Sequence, residues 1–241
     1  MLAEITVFDM KALSPPVFLL NLKAYLWGRE IIELAKAAEK LSKEVEVSFI
    51  IAPQLVDVYR VAEAVDLPVF APTIDPITPG RGVGKALPEA IKDAGACGVL
   101  INHSENQRTL REIRQCIRRA HELNLLTLVC ADSPESAAAV TLLGADLVLP
   151  EPPELIGTLR SVGREMSDFL TSSVNRVKQI NPKTLVLAGA GIASPEDGAQ
   201  VIRLGADGLG ASRIIYEAKD RAKFIRETAK AMEEEWKKRK R

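Results

Sequence analysis

The chain has 241 residues, 47% of them apolar and 27% charged, and its 32 basic and 32 acidic side chains cancel. That length supports a sizeable core, in one α/β barrel or in two small domains. Balanced charge offers no basic excess for nucleic acid, and no apolar run approaches the ~18 residues that span a bilayer.

Three cysteines, Cys97, Cys116 and Cys130, lack metal-ligand spacing. On strand- and helix-like segments they read as reduced thiols of a cytoplasmic protein. The opening stretch MLAEITVFDMKALSPP carries Glu4, Asp9 and Lys11 and no long apolar centre, so it does not read as a signal peptide. The basic end, Lys237 to Arg241, follows Glu233-Glu234-Glu235 and reads as solvated pairing on a helix.

In chain order, strand-like runs of Val, Ile and Leu fall at 17–22, 47–51, 69–71, 99–101, 125–129, 147–149, 185–187 and 208–210. They lack strict alternation, as strands buried on both faces should. Helical periodicity fills the gaps. Residues 28–41 place Ile31, Leu34, Ala35 and Ala38 on one side, and 108–123 place Leu110, Ile113, Ile117 and Ala120 at intervals of three and four. Residues 169–180 and 195–204 behave alike. Ser133 before Pro134 and Ser194 before Pro195 are N-cap signals. Trp27 and Trp236 are expected as helix-packing anchors, and Cys130 as a packed thiol at the end of strand five.

Alternation of this kind forces parallel strands with right-handed crossovers. Eight units predict an α/β fold of the (β/α)8 barrel type over residues 16–241, preceded by an N-terminal extension, 1–15. An open doubly wound sheet is the alternative, but no G-x-G-x-x-G follows the first strand.

In such barrels chemistry sits at the C-terminal ends of the strands. Strand one ends in Asn21-Leu22-Lys23, with Asn21 and Lys23 on one face. Strand four ends in Asn102-His103-Ser104-Glu105, strand six in Pro150-Glu151-Pro152, strand seven in Gly189-Ala190-Gly191 and strand eight in Gly210-Ala211-Ser212. Taken alone, His103 is better explained by a polar loop cap, and Lys23 by a solvated strand end. Together they suit proton abstraction beside a carbonyl: a carboxylate base, a neutral imidazole, an ammonium for the charge on oxygen, and glycine turns for a phosphate.

The segments NLKAY, LINHSEN, EPPELIGT and GAGI, in that order and at those strand ends, resemble triosephosphate isomerase in its short archaeal form. The resemblance runs from about Val17 to Asp220. It implies Glu151 as base, His103 as electrophile and Lys23 as the cation beside the substrate, a Glu–His division of labour that is a worked case for this family. It implies Asn21, Gly157, Gly191, Ala211 and Ser212 at the substrate, and Glu105 orienting Lys23. Residues 152–162 match the family's closing lid. It implies no metal and no organic cofactor, a small triose phosphate as substrate, and a homo-oligomer, tetramer or dimer.

The chain also departs from the family pattern. Leu159 stands where the lid has a glycine, and because leucine resists positive φ the hinge is expected to close differently. Gly163 replaces a serine. In the third loop, Pro72, Gly82 and Val83 replace residues of the family pattern, and Val83 loses a hydroxyl. These changes keep two alternatives open: a barrel that binds phosphorylated ligands without efficient turnover, and an isomerase of another sugar phosphate.

Overall fold

The computed structural model describes residues 13–239. Its strands are β1 (Val17–Asn21), β2 (Ser48–Ala52), β3 (Phe70–Ala71), β4 (Gly98–Ile101), β5 (Leu126–Ala131), β6 (Leu147–Pro150), β7 (Leu185–Ala188) and β8 (Gly208–Ala211). All pair in parallel, in the order β2-β1-β8-β7-β6-β5-β4-β3. A lone bridge between Ile51 and Val69 joins the two ends of that order, with the Ile51 N–H donating to the Pro68 carbonyl at 2.9 Å. The ring so formed is the expected (β/α)8 barrel.

The outer layer begins with α1 (Gly28–Ser42), α2 (Val58–Ala64), α3 (Pro88–Asp93), α4 (Leu110–Glu122) and α5 (Pro134–Leu142). It continues with α6 (Val162–Glu165), α7 (Ser167–Ile180), α8 (Pro195–Arg203), α9 (Arg213–Glu217) and α10 (Arg221–Arg239). The expected elements all appear, with ends shifted by two residues at most, the usual scatter of fraying termini. The capping residues explain the sharper starts. Ser133 and Ser194 each accept the N–H three residues on, in reciprocal capping boxes. Thr109 does the same with Glu112, which starts α4 at Leu110 instead of 108.

Strand parity divides the core in two. Val17, Leu19, Ile50, Phe70, Leu100, Leu128, Leu147, Leu149 and Leu187 fill the inside of the ring. Phe18, Leu20, Phe49, Ile51, Val99, Ile101, Val129 and Val148 face the helices. Each fully buried Leu or Phe contributes roughly 1.5–3 kcal/mol of transfer free energy. Leu13 is buried with the interior set, so the end of the expected extension packs under the barrel, and residues 1–12 lie outside those described. Trp27 is a correction: it is 66% exposed and anchors no packing, because it precedes α1 with extended backbone instead of sitting on the helix's inner face. Trp236 packs against the core as expected.

Candidate active site

Strand parity carries the polar residues to one rim. In β6, Leu147 and Leu149 point inward, so Glu151 does too; in β5, Leu126 and Leu128 do the same for Cys130. Pro150 and Pro152 restrict the backbone on either side of Glu151. Its side chain lies against Gly189, where an added Cβ would come within 2.4 Å of the carboxylate. The Cys130 thiol and the Ala190 N–H both donate to that carboxylate. Burial raises the Glu151 pKa to about 7, against the lowering effects of the Lys23 charge and those two hydrogen bonds.

His103 is buried at the end of β4, one residue past Asn102, which holds positive φ. Asn102 is fixed from both sides: its Nδ2 donates to the Cys130 carbonyl at 3.0 Å, and its Oδ1 accepts the Arg108 N–H at 2.9 Å. The Glu105 N–H donates to His103 Nδ1 at 3.1 Å. That leaves the proton of the neutral ring on Nε2, the tautomer being assigned from this bond. Burial, then the Lys23 charge, lower the His103 pKa to about 4, with Glu105 opposing. The ring is therefore neutral at pH 7. Its Nε2 lies 3.7 Å from Glu151 Oε2, and this is no ion pair, because the imidazole carries no charge. Neither atom has a hydrogen-bonding partner among the described residues.

Lys23 also holds positive φ, at 46°, which turns its side chain back over the rim. Its Nζ donates to Glu105 Oε1 at 2.6 Å. Burial disfavours the Glu105 carboxylate, but the Lys23 hydrogen bond and charge prevail and hold its pKa below the ordinary value.

One cavity collects the rest. It is lined by Asn21, Lys23 and Glu151 together with Gly157, Gly191, Ala211 and Ser212. Those are all of the residues expected at the substrate; His103 is not among the lining residues but borders a neighbouring pocket with Asn21, Lys23 and Glu105. Gly191 has φ +71, and a Cβ there would stand 1.7 Å from the Arg160 carbonyl, so the lid segment rests directly on this turn. Among the described residues no cluster of His, Cys, Asp or Glu is placed to hold a metal ion.

The segment matched to the lid contains the substituted hinge. Leu159 adopts φ +58, the conformation a glycine would take, so the hinge keeps its left-handed turn. A bulky side chain in that region costs roughly 1–2 kcal/mol. The turn is held regardless: the Thr158 hydroxyl donates to the Leu155 carbonyl at 2.8 Å and accepts the Arg160 N–H at 3.1 Å. Leu159 itself lines the cavity. Gly163 is buried beside Val201 and Gln200, where a Cβ would meet contacts of 3.1 and 3.3 Å. In the third loop, Val83 is fully exposed, while Asp75 ties the root through Ala86, Lys85 and Arg108.

A protein with this barrel and this rim has known counterparts. The family model for triosephosphate isomerase matches residues 16–228. The chain belongs to the triosephosphate isomerase family. A triosephosphate isomerase of Caldivirga maquilingensis is 43% identical over 219 residues, covering 90% of this chain and 97% of that one. Those of Sulfolobus acidocaldarius and Methanothermobacter thermautotrophicus are each 41% identical, over 227 and 210 residues. They cover 92% and 86% of this chain, and 98% and 92% of their own. The relatives are archaeal, as the resemblance of the four segments implies.

Within this family site, two groups escaped the sequence. Cys130 is more than a packed thiol, since it hydrogen-bonds Glu151; the parity of Leu126 and Leu128 was the signal that could have placed it. Arg213, adjoining the cavity, had no motif to announce it.

Proposed function

We propose that this chain interconverts dihydroxyacetone phosphate and D-glyceraldehyde 3-phosphate by proton transfer through an enediolate. Family membership and the barrel support that activity, one of intramolecular aldose–ketose isomerisation. The observation that carries the assignment of roles is the Glu151–His103 pair. Two atoms of opposite function, without partners among the described residues, lie 3.7 Å apart, with the pKa of the base raised and that of the imidazole lowered.

In this scheme Glu151 removes a proton from the carbon beside the carbonyl and returns it to the neighbouring carbon. His103 donates its Nε2–H to the oxygens that exchange carbonyl and alcohol character. Lys23, held by Glu105, stabilises the negative charge that grows on oxygen, and Asn21 lines the same cavity. The turns at Gly157, Gly191, Ala211 and Ser212 receive the phosphate. Residues 152–162 shut water away from the enediolate.

The test is turnover of glyceraldehyde 3-phosphate by the purified chain in a coupled assay, with Glu151→Gln as control. Turnover that the variant abolishes supports the proposal. A wild type that binds 2-phosphoglycolate without turning over would instead make this a phosphate-binding barrel, and turnover of a different sugar phosphate alone would change the substrate.

The pKa of Glu151 sets the pH dependence. The base must be deprotonated, so kcat/KM is expected to fall about tenfold per pH unit below about 7 and to level off above it. His103 stays neutral across that range. A profile that stays flat down to pH 5 would contradict a base with a raised pKa.

We further propose a cytoplasmic homo-oligomer, a dimer or tetramer. The exposed Val83 at the tip of the third loop, with exposed Val56 and Tyr59, supports association. No helix among the described residues is long and apolar enough to cross a membrane.

A further inference from the structure

Arg213 is the first residue of α9, directly after the β8 turn. Its Nη1 donates to the Gly157 carbonyl at 2.7 Å, across 56 residues of chain. Its Nε donates to Glu217 Oε1, one helical turn on, at 2.6 Å. The same side chain borders the cavity next to Ala211, Ser212 and Gly157.

Two geometrical facts give these bonds a purpose. The first is where they end. Gly157 lies in the lid segment, at φ +73, six residues after Glu151. Its carbonyl is presented outward from a turn whose next residue, Thr158, is bonded back to Leu155 through both its N–H and its hydroxyl. The second is where they begin. Arg213 adjoins Ser212, whose turn lines the cavity and in the proposed reaction receives the phosphate. A group seated against that turn therefore fixes the root of the side chain that holds the lid.

We propose that Arg213 is a positioning residue that latches the 152–162 segment over the phosphate end of the site. The proposal rests on the isomerase function and deepens it by assigning how closure is registered there. Glu217 balances the guanidinium charge and pins one edge of the planar fork, which leaves the other edge aimed at the lid. The C-terminal end of the lid has its own anchors, with Arg164 Nε on Asp197 at 2.6 Å and Arg160 on Glu165 at 2.7 Å. Arg213 serves the tip, where Leu159 also bears the cost of positive φ. Tyr25, stacked on Tyr216 at 5.3 Å between ring centres, walls the same side of the cavity.

A loosened tip has a chemical signature. If the enediolate meets water, its electron pair re-forms a carbonyl and expels inorganic phosphate, leaving methylglyoxal after tautomerisation. The experiment compares the full-length wild type with Arg213→Ala and Arg213→Lys. It reads kcat, KM, the share of turnovers that release phosphate, and hydrogen exchange across residues 155–160 with and without 2-phosphoglycolate. Loss of one charge-assisted hydrogen bond predicts about a tenfold lower kcat in Arg213→Ala. The phosphate share should rise severalfold, ligand-induced protection of 155–160 should be lost, and Arg213→Lys should recover part of each. Unchanged phosphate share and unchanged protection in Arg213→Ala would overturn the latch. A wild type without turnover, but with protection that Arg213→Ala removes, would overturn the isomerase function and uphold the latch. An unfolded Arg213→Ala with an Arg213→Lys indistinguishable from wild type in a chain that turns over would assign Arg213 to stability and overturn the proposal.

Discussion

Glu151→Asp should cost about 10²-fold or more in kcat while the protein stays folded. Removing one methylene withdraws the carboxylate by about an ångström, and a misplacement of that size is worth about 10² in rate. Nothing nearby can follow it. Pro150 and Pro152 hold the backbone, Gly189 supplies the floor, and the Ala190 N–H fixes where the oxygens sit. Steady-state kinetics beside a thermal melt is the check, and wild-type kcat would end the assignment of Glu151 as base.

The same residue leaves a mark on stability. Its folded pKa of about 7 stands above the ordinary 4.5, so the folded state holds a proton that the unfolded state releases. Its contribution is therefore fully present below about pH 4.5 and is lost as pH rises to about 7. The difference amounts to about 3 kcal/mol. Glu151→Gln has no such titration, so its stability relative to wild type should improve as pH rises through that window.

His103→Gln is the second large effect, again about 10² or more in kcat. Glutamine can donate a hydrogen bond from a similar distance, yet its amide cannot take up and return a proton as the ring can. It also gives up the Nδ1 that accepts the Glu105 N–H, so the turn carrying Glu105 keeps the Asn106 N–H to the His103 carbonyl but loses its side-chain tie. Because Glu105 holds Lys23, part of the loss should appear in KM, whereas Glu151→Asp should act mainly on kcat. A His103→Gln variant with unaltered kcat would remove the imidazole from the chemistry.

Much of this site is legible in the sequence because a barrel strand ends where its apolar run ends. Once eight runs are counted, the residues that follow them must share a rim, and Lys23, His103, Glu151 and the glycine turns fall there by chain order alone. Capping residues are equally local, which is why Ser133 and Ser194 start their helices where expected. Quantities that depend on three dimensions are another matter. Burial shifts Glu151 and His103 in opposite directions, and no spacing encodes that. The Leu159 hinge reads as an obstacle to positive φ, yet two hydrogen bonds through Thr158 hold that turn in place. His121, in the last turn of α4, meets Asp146, 25 residues away, at 2.9 Å, a contact between distant segments that no local pattern announces.

The joint between β2 and β3 has a mechanical side. Every other pair of neighbouring strands shares two or more registered residues, and this one has the Ile51–Val69 bridge alone. Directly over it, Lys23 reaches from the end of β1 to Glu105 at the end of β4, spanning the gap like a clasp on a hoop. The ammonium to which the proposed reaction gives the charge on oxygen thus also links the strands on either side of this joint. Opening of that joint is expected to carry Lys23 with it, so a looser ring should also mean a slower reaction.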